Sequence, residues 1–447
     1  MKSIKKFFKD ITSYPSAVAG VIVIFLLVIM AIYAMISIPY SEAIRLWRGG
    51  EEVWYQNPKT APPSWFNIFY ARKQPVSFSI KGGEGDFTKT VTVGEQGTSS
   101  VDFSYTWDFQ ADDYPQELII YFDSTYESKN PFVSIYLTTP DGTKIRIGDF
   151  GVDEEMTYRF SQDEKLQKRL KTDKVIQKLF SIPDSDPVTT LKGNYTLTIN
   201  AVTFETGSTI DAEFVNHGTV YGAFGTDIYR RDLTVPMLWG APIALAFGLL
   251  AALGTSLLTM IISAVGAWYG GWIDALIQRI TEINLVLPFL AILIMVGTFY
   301  SRSIWVILGV TVALSIFTGS IKTYRAIFMQ VKESTYIEAA KAYGASNSRL
   351  IFNYMIPRII PMLIPGLVSS VPSYVFLEAS LAVLGLGDPV LPTWGKIIND
   401  AETNGALYKG QYYWILEPAI LLMVTGLGFA MLGFALDRIF NPKLRGL

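Results

Sequence analysis

Six long apolar runs dominate the pattern of hydrophobic and polar positions in this chain. They cover residues 17–39, 241–268, 283–300, 304–321, 359–386 and 413–436. Each run is long enough for a helix that crosses a bilayer, which needs roughly 20 residues. The pattern therefore predicts a polytopic α-helical membrane protein with six transmembrane helices and both chain ends on one side. The first run exceeds the apolar core of a signal peptide, so we expect it to be a retained anchor.

A region of different character separates the first and second runs. Short segments rich in β-branched and aromatic residues recur there, divided by turn-formers such as Pro140-Asp141-Gly142. Many short strands at this spacing predict a β-sandwich or jelly roll. One stretch, Asp163 to Phe180, has helical periodicity instead. We expect a β-rich inserted domain at about residues 65–217, within an extracytoplasmic region that covers residues 40–217.

The basic residues are distributed unequally between the two sets of loops, which predicts the orientation of the chain. Cytoplasmic loops carry an excess of Lys and Arg. The loops on the opposite face have only Arg302, Lys396 and Lys409. The ends and loops assigned to the cytoplasm contain Lys2, Lys5, Lys6, Lys9, Arg279, Lys322, Arg325, Lys332, Lys341, Arg349, Arg358, Arg438, Lys443 and Arg445. Segment 1–16 and loop 322–358 are thus predicted to be cytoplasmic, and the β-rich domain to lie outside.

Composition excludes several classes of chemistry. Net charge is −2, with one histidine and no cysteine, so neither nucleic-acid binding nor a thiolate metal site is expected. We predict no catalytic residue and no metal site, and a structural role for His217. The chain has no phosphate-binding GxxxxGK[ST] motif, so any ATP must be hydrolysed by another chain. Trp107, Tyr114 and Tyr126 could stack on a sugar, contact a delivery protein or fill the core of the sandwich, and the core is favoured.

The polar loop after the fourth run contains the most informative motif. It reads Glu338-Ala339-Ala340-Lys341-Ala342-Tyr343-Gly344-Ala345. A short helix that begins with an acid, presents small alanines and ends at a glycine can enter a groove on another protein, although an ordinary surface helix has a similar composition. The motif resembles the EAA loop of ABC importer permeases, the coupling helix that docks on an ATPase subunit. The resemblance assigns coupling to Glu338, Ala339, Ala340, Tyr343, Gly344 and Ala345, and predicts that Gly344→Asp or Ala340→Arg uncouples ATP hydrolysis from transport.

Further motifs resemble one family, the C-type permease subunits of dipeptide, oligopeptide and nickel ABC importers. Residues 225–232 (GTDIYRRD) resemble that family's GTDxxGRD, with Arg230 in place of the usual glycine. Residues 378–387 and 392–395 resemble its EASLSFLGLG and PxWG. Residues 61–64 (APPS) resemble a motif that ordinary members place shortly before GTD. The β-rich domain is therefore interpreted as an insertion between these two motifs, ahead of a five-helix permease core at residues 218–447.

The resemblance implies a type I ABC importer permease fold and a set of partners. These are a B-type permease, two ATPases that bind ATP and Mg, and an extracellular solute-binding protein. Family members carry peptides, nickel or, in some lineages, oligosaccharides, and the chain itself needs no cofactor. An oligosaccharide importer, or a membrane-anchored carbohydrate-binding or adhesion protein, is the alternative to a peptide importer.

For two groups of residues the sequence is consistent with either a structural or a functional role. Polar residues of the fifth run line the translocation path or serve helix packing. The motif before the second run forms a salt-bridged cap at the outer surface or contacts the binding protein. The candidate path residues are Ser369, Ser370, Pro372, Ser373, Tyr374 and Glu378, and the outer-surface residues are Gly225, Asp227, Arg231 and Asp232.

Overall fold

The structure, a computed structural model, describes residues 12–82, 86–94, 97–183, 185 and 189–440. It divides into two compact units. Met1–Arg48 and Val235–Leu447 form the first, called the helical unit, and Gly49–Thr234 form the second, called the sheet unit. The basic residues at positions 2, 5, 6, 9, 443 and 445, which are predicted to be cytoplasmic, lie outside the described residues.

The helical unit begins with two helices, α1 (Pro15–Ser37) and α2 (Tyr40–Arg48). Pro15 lies in the first turn of α1, where the missing N–H removes no helical hydrogen bond. Helix α1 carries no charged residue, and its outward positions are large and apolar. This pattern is typical of a helix whose surroundings are lipid rather than water.

The described part of the sheet unit contains nine strands in two antiparallel sheets. One sheet has the order β1-β9-β4-β7 and the other the order β2-β3-β8-β5-β6. The strands are β1 (Phe78–Ile80), β2 (Asp86–Val93), β3 (Ser99–Phe109), β4 (Glu117–Thr125), β5 (Phe132–Thr138), β6 (Lys144–Gly151), β7 (Glu155–Arg159), β8 (Gly193–Thr203) and β9 (Thr209–His217).

One hydrophobic core takes side chains from both sheets. Alternate residues of β3 are buried, as expected for a strand with one face on a core. The rings of Tyr105 and Trp107 pack against Phe214 of β9, with centroids 5.8 and 4.9 Å apart. Trp107 is only 8% exposed, so it belongs to the core and not to a sugar-stacking surface.

The helical stretch predicted at Asp163–Phe180 is two short helices, α3 (Glu164–Leu170) and α4 (Val175–Phe180). The carboxylate of Asp163 caps α3 by accepting from two backbone N–H groups. Lys171 then adopts a left-handed conformation with φ 54°, which ends the helix. The prediction of one continuous helix was wrong because periodicity does not report a single left-handed residue.

The two ends of the inserted region lie side by side. The Ser64 N–H donates to Gly222 O at 2.9 Å, and the Tyr221 N–H donates to Pro62 O at 2.9 Å. The Thr226 N–H donates to Ala61 O at 2.8 Å. Motifs that are about 160 residues apart in sequence are therefore neighbours, as expected when a domain is inserted at a loop whose ends stay close.

The rest of the helical unit contains three long apolar helices and two bent helix pairs. Its helices are α5 (Thr234–Tyr269), α6 (Gly271–Val286), α7 (Phe289–Phe299), α8 (Ile304–Ile316), α9 (Gly319–Lys332), α10 (Thr335–Ala342), α11 (Asn347–Leu386), α12 (Trp394–Thr403) and α13 (Tyr413–Phe440). Among the described residues, α1, α5, α11 and α13 each have the length and composition of a membrane span. The α6–α7 and α8–α9 pairs meet the same test when each is taken together, with bends of 79° and 51°.

The third and fourth apolar runs each contain a break between two helices, which the apolar pattern alone did not predict. Leu287 is extended because the residue before Pro288 is disfavoured in the helical region. At the second break, the Asn284 side-chain amide donates to Leu314 O and Phe317 O, both at 2.8 Å. Carbonyls freed by the bend are thereby satisfied, as apolar surroundings require.

Small residues allow the long helices to approach closely. A Cβ at Gly20 of α1 would overlap the backbone of Gly428 and Leu432 in α13. A Cβ at Gly248 of α5 would likewise meet side chains of α11. Close backbone approach through small residues is the usual way in which helices pack in a bilayer.

Candidate functional site

The predicted coupling motif forms helix α10 and the turn that follows it. Gly344 ends the helix with φ 78°, a conformation that glycine adopts without strain. The Gly344 N–H donates to Lys341 O at 2.9 Å, and the Ala345 N–H donates to Ala340 O at 3.1 Å. These two bonds form a Schellman motif, which satisfies the last carbonyls of the helix and turns the chain away.

The two faces of α10 have different surroundings. Ile337 and Ala340 are buried in a cluster with Phe328, Leu350 and Met355 of the neighbouring helices. On the other face Glu338, Ala339 and Tyr343 are exposed, and Tyr343 is 92% exposed, while Ala345 is half-buried. Because Ala340 faces the chain's own core, Ala340→Arg would perturb internal packing and does not probe an outside groove.

Polar contacts join α9 and α10 to the neighbouring helices. The Lys332 ammonium donates to the carbonyls of Ala267 and Trp268, at 3.2 and 2.9 Å, where α5 ends. The Lys341 ammonium lies 4.8 Å from the Trp268 ring centroid, a cation–π contact. The Arg325 guanidinium pairs with both carboxylate oxygens of Asp274, which joins α9 to α6. These contacts join α10 to α5 through Lys341, and α9 to α5 and α6 through Lys332 and Arg325.

A cavity of about 450 Å³ lies where the two helix breaks meet α11. Of the six predicted path residues, Ser370, Ser373 and Tyr374 line it. The polar groups of Asn284, Ser315 and Thr318 lie on its other walls, together with leucine and phenylalanine side chains. These three residues were not predicted from the sequence, although each is a polar position inside or beside an apolar run.

The other three predicted path residues lie elsewhere. Ser369 is next to Gly433 of α13, where a Cβ on that glycine would overlap the serine hydroxyl. Pro372 is buried within a helix that continues through it. Glu378 is 6% exposed, and its hydrogen-bond partner is the Thr393 side chain. This contact joins α11 to the N-terminus of α12, and a role of Glu378 in the translocation path stays a prediction.

A second carboxylate in the apolar helices escaped the sequence analysis. Both oxygens of Glu417, in the second turn of α13, are buried and have no hydrogen-bond partner among the described residues. The indole N–H of Trp414 is also buried without a partner in this part of the chain. A lone acid in an apolar run is costly and is the signal by which it could have been found.

The motif at residues 225–232 forms a compact turn around a buried ion pair. Asp227 is fully buried, and one carboxylate oxygen accepts from the Arg231 Nε at 2.5 Å. The other accepts from the backbone N–H groups of Tyr229 and Arg231, at 2.8 and 2.9 Å. Burial raises the pKa of Asp227, and the Arg231 charge opposes this shift. Burial also raises the pKa of Asp232, which accepts from the Thr234 N–H.

Gly225 and Arg230 both have left-handed backbone conformations in this turn. Gly225 has φ 74°, and Arg230, the residue that replaces the usual glycine, has φ 65°. The Arg230 guanidinium donates to Asn57 O at 2.6 Å, and its carbonyl accepts from the Asn57 side chain at 3.0 Å. These bonds offset the strain of a non-glycine residue at positive φ. They make the motif part of the packing between segments 57–61 and 225–232.

The lone histidine lies at the end of β9 and is 4% exposed. Burial lowers the pKa of His217 to about 4, and the nearby Arg230 charge acts in the same direction. Within the residues that the structure describes, no group of three His, Cys, Asp or Glu side chains is arranged to hold a metal ion.

Comparison with known proteins identifies the family. Binding-protein-dependent transport system inner membrane components match residues 258–446. The dipeptide transport system permease protein DppC of Bacillus subtilis (strain 168) is 30% identical over 223 residues, 50% of this chain and 69% of that protein. The oligopeptide permease OppC of the same organism is 30% identical over 226 residues, with coverage of 50% and 72%. The glutathione permease GsiD of Escherichia coli O6:H1 is 28% identical over 240 residues, with coverage of 53% and 77%.

These similarities confirm the permease interpretation of the sequence motifs. The relatives are permease subunits, which have no ATPase site of their own, and the apolar helices fit a multi-pass membrane protein. The chain therefore belongs to the family of binding-protein-dependent transport system inner membrane components, as a permease subunit of an ABC importer.

Proposed function

We propose that this chain forms half of a peptide-translocation path and is driven through α10 by an ATPase subunit. The observation that carries the proposal is the division of α10 into two faces. Ile337 and Ala340 anchor it to the chain's own helices, whereas Glu338, Ala339 and Tyr343 are free to contact another protein. A helix fixed on one side and exposed on the other can transmit a partner's movement without unfolding.

In this proposal the permease has two conformational states. Closure of two ATPase subunits around ATP and Mg displaces α10, and the Lys332 and Arg325 contacts carry the displacement to α5 and α6. ATP drives the change only if the ATPases bind one permease state more tightly than the other. A second, B-type permease completes the path, and an extracellular solute-binding protein delivers the solute.

The same proposal includes a topology with six spans. The four long helices cross the bilayer once each, and each bent pair crosses once as a broken helix. Lys and Arg are concentrated in the loops on the side of α10, which supports a cytoplasmic location of that helix and of both chain ends. The sheet unit then lies outside, and its two sheets form a β-sandwich around the shared core.

The path runs past the cavity lined by Ser370, Ser373 and Tyr374. The Ser373 and Tyr374 hydroxyl groups and the side-chain oxygen of Asn284 offer donors and acceptors, which a peptide backbone requires, among apolar side chains. Broken helices commonly surround solute sites inside a membrane, because their free backbone ends are polar. Peptides are the proposed solute class, since the similar proteins are named for dipeptides, oligopeptides and glutathione.

Topology and coupling can be tested on one set of variants, because the chain has no cysteine. In Tyr343→Cys the single thiol should resist a membrane-impermeant maleimide on intact cells and react after lysis. In Val93→Cys, at a residue 78% exposed on β2, it should react on intact cells. Labelling of Tyr343→Cys from outside would refute the orientation.

Deletion of residues 333–350 tests the docking role. ATPase subunits should copurify with the full chain and be lost with the deletion, whereas the B-type permease should remain bound. Retention of the ATPases by the deleted chain would refute docking through α10. Mass spectrometry of ligands on the cognate binding protein then tests the solute class, and a bound oligosaccharide would contradict the peptide proposal.

A further inference from the structure

The sheet unit carries an exposed aromatic loop, Trp65–Tyr70, at the start of the inserted region. Ile68 and Phe69 are 79% and 76% exposed, and the flanking Trp65 and Tyr70 are 45% and 41% exposed. The rings of Trp65 and Phe66 meet edge to face with centroids 4.5 Å apart. A contiguous apolar patch of this kind usually marks a surface that is covered by something else.

Hydrogen bonds hold this aromatic loop in its exposed position. The Trp65 indole N–H donates to Ala223 O at 2.9 Å. Asn67 and Gln74 close the loop with two bonds, in which the Asn67 amide donates to Gln74 O at 3.1 Å and the Gln74 N–H donates to the Asn67 side chain at 2.8 Å. Ile68 and Phe69 lie within the closed segment. Their exposure is therefore a feature of an ordered loop.

We propose that the aromatic loop inserts into the interface of the lipid bilayer and anchors the sheet unit to it. Tryptophan and tyrosine favour the headgroup level, where an apolar ring and a polar group are both satisfied. Two cations, Arg72 and Lys73, are exposed beside the loop and complement anionic headgroups. The combination of large apolar residues with adjacent basic residues is typical of segments that lie in the interface.

The covalent connections of the sheet unit favour lipid over a protein partner as the occupant. In the chain this unit lies between two helices with the composition of membrane spans, α1 before it, separated from it by the short helix α2, and α5 after it. The loop begins 28 residues after the end of α1 at Ser37 and is bonded to Ala223, 11 residues before α5 begins at Thr234. The chain therefore connects this unit to the bilayer on both sides, whereas a soluble partner would have to be recruited. The proposal holds for any transported solute.

Site-directed spin labelling of the full-length chain in lipid nanodiscs tests the proposal. Nitroxides are attached to Ile68→Cys and, separately, to Phe69→Cys, which are unique thiols in this cysteine-free chain. Val93→Cys is the matched control, since Val93 is 78% exposed on a strand of the same unit. Collision rates with oxygen, which concentrates in lipid, and with a water-soluble nickel chelate are compared at each site.

The labels at positions 68 and 69 should collide preferentially with oxygen, and the label at position 93 with the nickel chelate. Equal, water-like accessibility at all three positions would overturn the proposal. Labels at 68 and 69 that are water-accessible until the solute-binding protein is added would also overturn it, in favour of protein docking. Arg72→Gln with Lys73→Gln should make the labels shallower in nanodiscs containing phosphatidylglycerol, and an unchanged depth would contradict the role of the two cations.

Discussion

Replacement of Tyr343 by alanine should weaken ATPase binding strongly while leaving the permease folded. The side chain is 92% exposed, so it makes little contact with its own chain and is available to a partner. A surface substitution of this kind changes the free energy of unfolding by about 0.5 kcal/mol or less. An aromatic ring that becomes buried in an interface covers about 150–250 Å², and truncation of such an anchor costs about 2–4 kcal/mol.

This loss corresponds to about 30- to 700-fold weaker binding, at 1.4 kcal/mol per tenfold change. Affinity is measured by titrating ATPase subunits onto nanodisc-embedded permease, and thermal unfolding of the same preparation reports folding. Tyr408→Ala is the matched control, because Tyr408 is 98% exposed in the turn before α13, on the face assigned to the outside. Equal affinity of Tyr343→Ala, Tyr408→Ala and the parent chain would refute the argument that the outer face of α10 docks.

Three further predictions concern stability. Asp227→Asn removes the carboxylate charge that accepts from the Arg231 guanidinium and should lower the free energy of unfolding by about 1–3 kcal/mol, measured by denaturant titration; an unchanged free energy of unfolding would contradict a stabilising role of this ion pair. Because the pKa of His217 is lowered to about 4 in the folded chain, the unfolded chain binds the proton more tightly. The contribution of neutral His217 to the free energy of unfolding is therefore complete above pH 6.5 and should fall by about 3 kcal/mol as the pH drops to 4. His217→Gln should flatten this part of the pH profile of thermal unfolding. Gly240→Ala places a Cβ against the ring of Trp394, which is 2% exposed, and should cost about 1–3 kcal/mol, seen as a lower melting temperature of the purified chain.

Helix α10 and the turn at Gly344 show what local sequence rules can predict and what they cannot. A glycine after an alanine-rich stretch predicts a helix end, and Gly344 adopts the positive φ that this requires. The same residues do not reveal which side of the helix is buried. Ala339 and Ala340 are identical in type, yet only Ala340 is buried, because Phe328, Leu350 and Met355 converge on its side of α10.

The candidate path residues show the same limit of prediction from sequence. Composition predicted a polar stretch in the fifth run, but the structure separated its members, with Ser370 and Ser373 on the cavity and Ser369 against α13. Asn284 could not be assigned at all from sequence, since its partners Leu314 and Phe317 are 30 and 33 residues away.

The sequence by itself determined where apolar helices form, which part of the chain is rich in β-strands and which family motifs follow one another. These properties depend on residues close in the chain, through hydrophobic period, proline and glycine geometry and loop charge. Only the tertiary structure decided which polar groups share a cavity, that Trp107 lies in a core and that Arg230 occupies a glycine conformation. The physical reason is that burial and hydrogen-bond partners are set by residues brought together from distant positions.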